Sequence, residues 1–314
     1  MSQIKPQGKF FLNKYQVERI IVDSDFDGVM CGAMLRIVFP SAQIIQSKAS
    51  EIQEGKIDDL ITKETLMADL RYSPRCGYFF DHHESNKPDN RFIGQWSPVD
   101  SAAQVIFSYF GDVADFTNFE ELISDINKFD SGKITLEDFN NPSELFQLAL
   151  VINRDEKFFN LWLIELLAKF TLFEVCNHPF VLHKLEKFKK ARKEIAAFVK
   201  ENTVVLEGVA FIDTQDFPLK EKMTSYVFTS EFPEAEVVVV VKPHDQEDLK
   251  KVRLYRNNFF NKKKEVNLLD IAYKISPKTA GGHKGACGLN LPSSYSIENL
   301  QKVVLEELKK QTDN

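Results

Sequence analysis

The chain has 314 residues, of which 43% are hydrophobic and 27% charged, and its formal net charge is −6. That length suggests about two domains on a prior of ~150 residues each. The acidic average argues against a protein built to grip long duplex DNA, which needs a basic face for the phosphates. No run approaches ~18 uncharged apolar residues, which argues against a membrane span. The first residues, MSQIKPQGKFFLNKYQVER, lack the apolar core of a secretory signal. Cys31, Cys76, Cys176 and Cys287 form neither a CxxC pair nor a zinc-ribbon spacing, so they read as reduced, buried thiols of a cytoplasmic protein.

Strand signals fall at 18–23, 42–47 (AQIIQS), 65–70 (TLMADL), 77–81 (GYFFD) and 91–96 (RFIGQW). A helix is read from Gly28 to Phe39, closed by Pro40, and another from Ser101 to Phe110 with Asp100 or Ser101 as its cap. Strands alternating with helical segments predict an α/β domain around a mostly parallel sheet. Residues 119–200 read as mainly helical. Within them, 181–201 repeats Leu182, Leu185, Phe188, Ile195, Phe198 and Val199 at helical spacing, with Lys and Glu on its solvated faces. Strand signals return at 203–212, 236–242 and 251–256, with helices over 266–275 and 296–311. The expected organisation is therefore a parallel-sheet domain over 1–185, a connecting helix over 186–202 and a smaller α/β domain over 203–314.

Asp23, Asp25 and Asp27 stand at every second position where the first strand signal ends. In extended chain, alternate residues share a side, and parallel sheets bind ligands outside the carboxyl ends of their strands. Carboxylates crowded there repel one another and raise each other's pKa, a cost that a divalent cation removes. A single aspartate at this place serves equally well as the cap of the next helix. Two further apolar runs end in the same chemistry: Leu66-Met67-Ala68 before Asp69, and Tyr78-Phe79-Phe80 before Asp81-His82-His83. Asp130 follows another apolar-rich stretch, in "KFDSG". Carboxylates mixed with imidazole suit Mn²⁺ or a similar borderline ion, whereas oxygen-only sites favour Mg²⁺ or Ca²⁺.

Taken in order, DSDFDG (23–28), Asp69, Asp81-His82-His83, "FDSG" (129–132) and "GGHKGACG" (281–288) resemble the motifs of the DHH phosphoesterase superfamily over nearly the whole chain. The D-x-D of the first motif matches Asp25 and Asp27. Asp23 is similar to the RecJ-type variant, and Ile21 stands where other branches carry a histidine. The resemblance implies an N-terminal DHH catalytic domain and a C-terminal DHH-associated substrate domain. It also implies two Mn²⁺ ions, with Mg²⁺ or Co²⁺ as substitutes. Asp23 and Asp25 would hold one ion, Asp27 and His82 the other, with Asp69 and Asp130 shared or on the second. Ions so placed activate a water for in-line attack. His83 would contact the phosphate or leaving group, and Asp81 would orient an imidazole.

In the second domain, Gly281 and Gly282 let backbone approach an anion, His283 and Lys284 add donors, and successive N–H groups suit an anion nest. A tight turn explains the glycines as well. The family places an arginine against substrate phosphate on the 251–256 strand, where Arg256 fits the spacing better and Arg253 is the alternative. The implied activity is metal-dependent hydrolysis of a small phosphate-containing substrate. Short oligonucleotides, linear or cyclic dinucleotides and nucleoside bisphosphates all qualify, with an exopolyphosphatase or a RecJ-like single-strand exonuclease as alternatives. RecJ-type proteins carry an additional oligonucleotide-binding domain, for which 314 residues leave no room. A homodimer is compatible with this reading, and no membrane partner is implied. The bases, chain length and cleavage polarity are not written in these motifs.

Overall fold

The computed structural model describes residues 16–217, 224–261 and 266–312. They divide into two compact units. One comprises the residues up to Lys133 plus Pro142–Leu185, the other Ile134–Asn141 plus the residues from Glu186 onward.

In chain order the first unit runs β1 (Arg19–Asp23), α1 (Phe26–Val38), β2 (Gln43–Ser47), α2 (Ala49–Gln53), β3 (Thr65–Ala68), β4 (Tyr78–Asp81), β5 (Gly94–Trp96) and α3 (Ala102–Phe110). It continues through α4 (Thr117–Glu120) and α5 (Ile123–Asp130). Helix α6 (Leu136–Asn140) groups with the second unit, and α7 (Glu144–Val151), α8 (Lys157–Leu167) and α9 (Leu172–Cys176) return to the first. The boundary then falls inside α10 (Pro179–Glu201).

The five strands are all parallel, in the order β2-β1-β3-β4-β5. The chain leaves β1 to one side and returns to β3 on the other. Such a switch point opens a crevice at the carboxyl ends of β1 and β3. Ile20, Ile21 and Val22 are fully buried, as a strand covered on both faces requires. One face holds Ile21, Met67 and Phe79 against Ile52, Ile61, Leu70 and Cys76. Helix α1 begins at Phe26, two residues earlier than the Gly28 start expected, because the Asp25 carboxylate accepts the Gly28 N–H and caps it. Strand β5 is shorter than the 91–96 expected, starting at Gly94, where φ is +129°. Ser101 caps α3.

The second unit contains β6 (Thr203–Leu206), β7 (Val209–Asp213), α11 (Tyr226–Thr229), β8 (Val237–Pro243), β9 (Leu249–Arg256), α12 (Leu268–Ile275), β10 (Gly281–His283), β11 (Ala286–Pro292) and α13 (Ile297–Thr312). Its mixed sheet has the order β10-β11-β9-β8-β7-β6, with β7 and β8 the one parallel pair. Val237, Val239, Val241, Val252 and Leu254 pack in one core with Leu268, Ile271, Leu300 and Val304 of α12 and α13.

Two expectations are corrected here. The stretch 203–212, read as one strand, is a hairpin: Glu207 and Gly208 both take positive φ, 49° and 79°, as a type I′ turn requires. The 281–288 stretch is not a nest of successive N–H groups. It belongs to a second hairpin, because Gly281, Gly282 and His283 pair with Gly288, Cys287 and Ala286. Among the described residues no helix is long and apolar enough to cross a membrane.

Gly28 is dictated by the join of β1 and α1, since a Cβ there would lie inside the van der Waals radius of the Asp23 carbonyl oxygen. Helix propensity alone would make Gly28→Ala stabilising by about 1 kcal/mol. The clash with backbone should reverse that sign and destabilise by about 1–3 kcal/mol, seen as a melting temperature several degrees lower. Gly281→Ala, with nothing within 4 Å of the added carbon, should stay within about 0.5 kcal/mol of the parent. An unchanged melting temperature for Gly28→Ala would refute the packing.

Candidate metal centre

The carboxyl ends of β1, β3 and β4 lie side by side, and each delivers an acid. Asp23 ends β1, Asp69 follows β3 and Asp81 ends β4. Asp69 turns the chain through a left-handed conformation, φ 59°, rare for a residue other than glycine. Asp25 and Asp27 come from the start of α1, and Asp130 from the last turn of α5. The Phe129 ring lies 5.1 Å from the Phe26 ring, holding the end of α5 against the start of α1.

Ligand atoms of these residues fall into overlapping groups, each within 4.8 Å: Asp23, Asp25 and Asp69; Asp27, His82 and Asp130; and Asp69, Asp81, His82 and His83. His82 explains what the groups are for. Its Nδ1 lies 3.0 Å from the Val99 carbonyl oxygen. A carbonyl only accepts, so Nδ1 carries the proton and Nε2 is left as a bare lone pair. That Nε2 is buried without a hydrogen-bond partner. It faces Asp130 at 3.3 Å and Asp27 and Asp69 at 3.9 Å each. Asp69 Oδ2 is likewise buried and unpartnered. A lone pair aimed at carboxylate oxygens is repulsive unless a cation lies among them, and orphaned buried polar atoms are costly. The donor set therefore fits a divalent metal.

The remaining contacts orient these ligands. Asp81 is fully buried. One of its oxygens accepts the N–H groups of His82 and His83 and the His83 Nδ1–H at 2.9 Å, and the other accepts Asn86 Nδ2 at 2.7 Å. It thus fixes the His83 ring, whose side chain is 47% exposed. Asp27 accepts the Ala102 and Ala103 N–H groups at the start of α3, at 2.6 and 3.0 Å. Asp25 caps its own helix and also pairs with Arg154, which lies 3.6 Å from Asp23 as well.

Burial dominates the electrostatics. It pushes Asp23 and Asp27 up to about 7, with the Asp25 charge adding to both. Burial and the neighbouring Asp27 and Asp25 raise Asp130 to about 10, and Asp69 is raised well above the carboxylate range for the same reasons. Burial and the adjacent His83 lower His82, whereas the Asp81 hydrogen bond raises His83.

The six residues expected to hold metal (Asp23, Asp25, Asp27, Asp69, His82 and Asp130) are thus brought together in the first unit, with Asp81 and His83, expected in the chemistry rather than as ligands, beside them. Arg154, Asn86 and Asn160 were not foreseen. They sit in polar connections or inside a helix, and nothing in their spacing marks them.

In the second unit Gly281–His283 form β10, Lys284 follows in the turn, and Arg253 and Arg256 lie on β9, with β11 between the two strands. Arg253 faces Gly288 across β9 and β11, and its side chain occupies the space a Cβ at Gly288 would need. Arg256 Nη2 donates to the Val266 carbonyl, while its Nε is buried without a partner. Lys242, also unforeseen, lies over the Phe228 ring, and burial with Arg253 and Lys251 nearby lowers it to about 8. His178 and His244 each accept a local backbone N–H.

No family model and no curated protein matches the sequence. Solved structures do. The chain is similar to PggH, a pGpG-specific phosphodiesterase from Vibrio cholerae, with a TM-score of 0.77 at 18% identity over 94% of this chain and 99% of that one. It is also similar to exonuclease RecJ bound to manganese (TM-score 0.53, 12% identity, 96% and 92% covered). RecJ from Thermus thermophilus in complex with Mn²⁺ gives a TM-score of 0.55 at 12% identity, covering 95% of this chain and 53% of that one. The chain thus shares its fold with these phosphodiesterase and exonuclease structures.

An acid whose folded pKa lies above its unfolded value binds protons on folding, so it subtracts stability as pH rises from the unfolded value toward the folded one. For Asp23 and Asp27 that window runs from about 4 to about 7. The melting temperature of chelated protein should fall across it. The gain on adding Mn²⁺ should grow over the same window, as the ligands become free of protons. A gain that stayed flat between about pH 5 and 7.5 would contradict the site.

Proposed function

We propose that the chain is a metal-dependent phosphoesterase that hydrolyses phosphodiester bonds of short nucleotides, with linear dinucleotides as the leading substrate class. The observation that carries the proposal is the buried, bare Nε2 of His82 facing three acids at the switch point of a parallel sheet. The likeness to PggH across both chains supports the dinucleotide class. In this reading Asp23, Asp25 and Asp69 would hold one ion, and Asp27, His82 and Asp130 a second. Two ions there would activate a water and stabilise negative charge on the phosphoryl and leaving oxygens. The mixed donor set favours Mn²⁺ over Mg²⁺, with Co²⁺ as a substitute.

His83 supplies the proton. Asp81 accepts a hydrogen bond from its Nδ1–H and so stabilises the imidazolium, leaving the proton on Nε2 available to a phosphoryl or leaving oxygen. His283, Lys284 and either Arg253 or Arg256 bind the substrate's phosphate, and Lys242 adds positive charge beside Arg253. Residues 1–185, 186–202 and 203–314 then serve as catalytic domain, connecting helix and substrate domain. A RecJ-like exonuclease is the second reading, supported by the manganese-bound likeness and by Asp23.

The test is a comparison of initial rates with Mn²⁺ on pGpG, pApA, a five-nucleotide RNA, cyclic di-AMP, 3′-phosphoadenosine 5′-phosphate, polyphosphate and long single-stranded DNA. A linear dinucleotide should have the highest kcat/KM, and chelation should abolish turnover. Preference for long single strands would select the exonuclease reading. Full activity after exhaustive chelation would end both. Asp69→Asn should lower kcat by several orders of magnitude. His283→Ala should mainly raise KM, because a contact made equally in ground and transition states is uniform binding.

A further inference from the structure

Arg154 lies in the connection between α7 and α8, far in sequence from the DHH motifs. Its backbone is held firmly. The fully buried Asn160 donates through Nδ2 to the Asn153 carbonyl and to the Ser24 carbonyl, 3.0 Å each, which ties this connection to the end of β1. Its neighbour Asp155 pairs with Lys48, and Glu156 pairs with Lys184. Its side chain is held much less firmly. It is 51% exposed, and a single nitrogen, Nη2, faces both Asp25 and Asp23. That is not the bidentate fork by which arginine makes a durable pair with one carboxylate, and the half-exposed guanidinium, open to solvent screening, weakens what the pair with the more buried Asp25 and Asp23 adds to folding. A rigid tether carrying a loosely held cation, aimed at two of the three acids of one ligand group, is poorly suited to a structural role.

We propose that Arg154 is the resident counter-cation of the Asp23–Asp25 pair: it gives way to a divalent ion and then uses its guanidinium to hold a phosphoryl oxygen of the substrate. Guanidinium and metal ion need the same carboxylate oxygens, so they compete. The Asn160 bridge keeps the displaced side chain at this edge of the sheet. There its charge meets the anion that the proposed phosphoesterase reaction, on which this second role rests, brings to the site.

The two roles predict effects of opposite sign. Mn²⁺ titrated calorimetrically into the chelated full chain should bind Arg154→Gln at least threefold more tightly than the parent, because a competitor has gone. AMP or GMP titrated into the Mn²⁺-loaded protein should bind the same variant about tenfold more weakly, the scale of one lost charge-assisted hydrogen bond. Arg154→Lys, which keeps the charge but not the fork, should leave Mn²⁺ affinity near the parent's and recover part of the nucleotide affinity. Unchanged or weaker Mn²⁺ binding in Arg154→Gln would overturn the proposal, as would unchanged nucleotide binding. If Arg154→Gln does not fold, parental nucleotide affinity in Arg154→Lys overturns it. Neither titration needs turnover. A chain that bound both ligands as stated but cleaved no phosphodiester would remove the proposed activity and leave the Arg154 assignment standing.

Discussion

Five acids and one unprotonated imidazole nitrogen share the carboxyl edge of a parallel sheet, and the acids cannot all stay charged without a counter-cation. Much of the first unit is arranged around that constraint. The switch point brings β1 and β3 together so that Asp23 and Asp69 adjoin. The Val99 carbonyl sets the tautomer of His82 from outside the ligand set. Helix α3 presents its first N–H groups to Asp27, and Asp81 is consumed in fixing His83. Each device favours a charged ligand in a defined direction. Burial opposes the charge throughout, and a divalent cation held there would resolve the conflict.

The clustering of these acids was legible because their chemistry is written at strand ends. An apolar run followed by Asp, or by Asp-His-His, states both the element and its terminal group. Asp25 shows why helix cap and metal ligand were never exclusive readings, since one oxygen accepts the Gly28 N–H while the carboxylate also belongs to a ligand group. Arg154 was not legible, because its part depends on Asn160 bridging two distant carbonyls, a relation no local pattern encodes. The turn at Glu207-Gly208 was hidden within a continuous run of strand formers, TVVLEGVAFI, whose apolar content outweighed a two-residue break. Strand β11 was legible and missed: Cys287, Leu289 and Leu291 alternate inward as a half-buried strand demands, but the glycines before them read as loop.

The second unit gathers charge of the opposite sign. Its sheet gathers like charges, with Lys242, Lys251 and Arg253 close enough for the two neighbours to help depress Lys242. Gly288 gives up its side chain so that Arg253 can lie across β11. A surface that tolerates such repulsion is suited to an anion, as the crowded acids of the first unit are suited to a cation.

The left-handed backbone at Asp69 has a consequence for how this protein can change over generations. Only glycine, asparagine and aspartate adopt that conformation readily. An aspartate codon reaches asparagine or glycine by one base change, and either replacement keeps the fold's geometry while removing the ligand's charge. Larger or branched residues strain the turn that joins β3 to its loop. Drift at this position therefore tends toward two well-folded products without the ligand, and seldom toward a chain that is merely weakened. Descendants of this fold that have lost this carboxylate but kept their shape are expected to carry asparagine or glycine there.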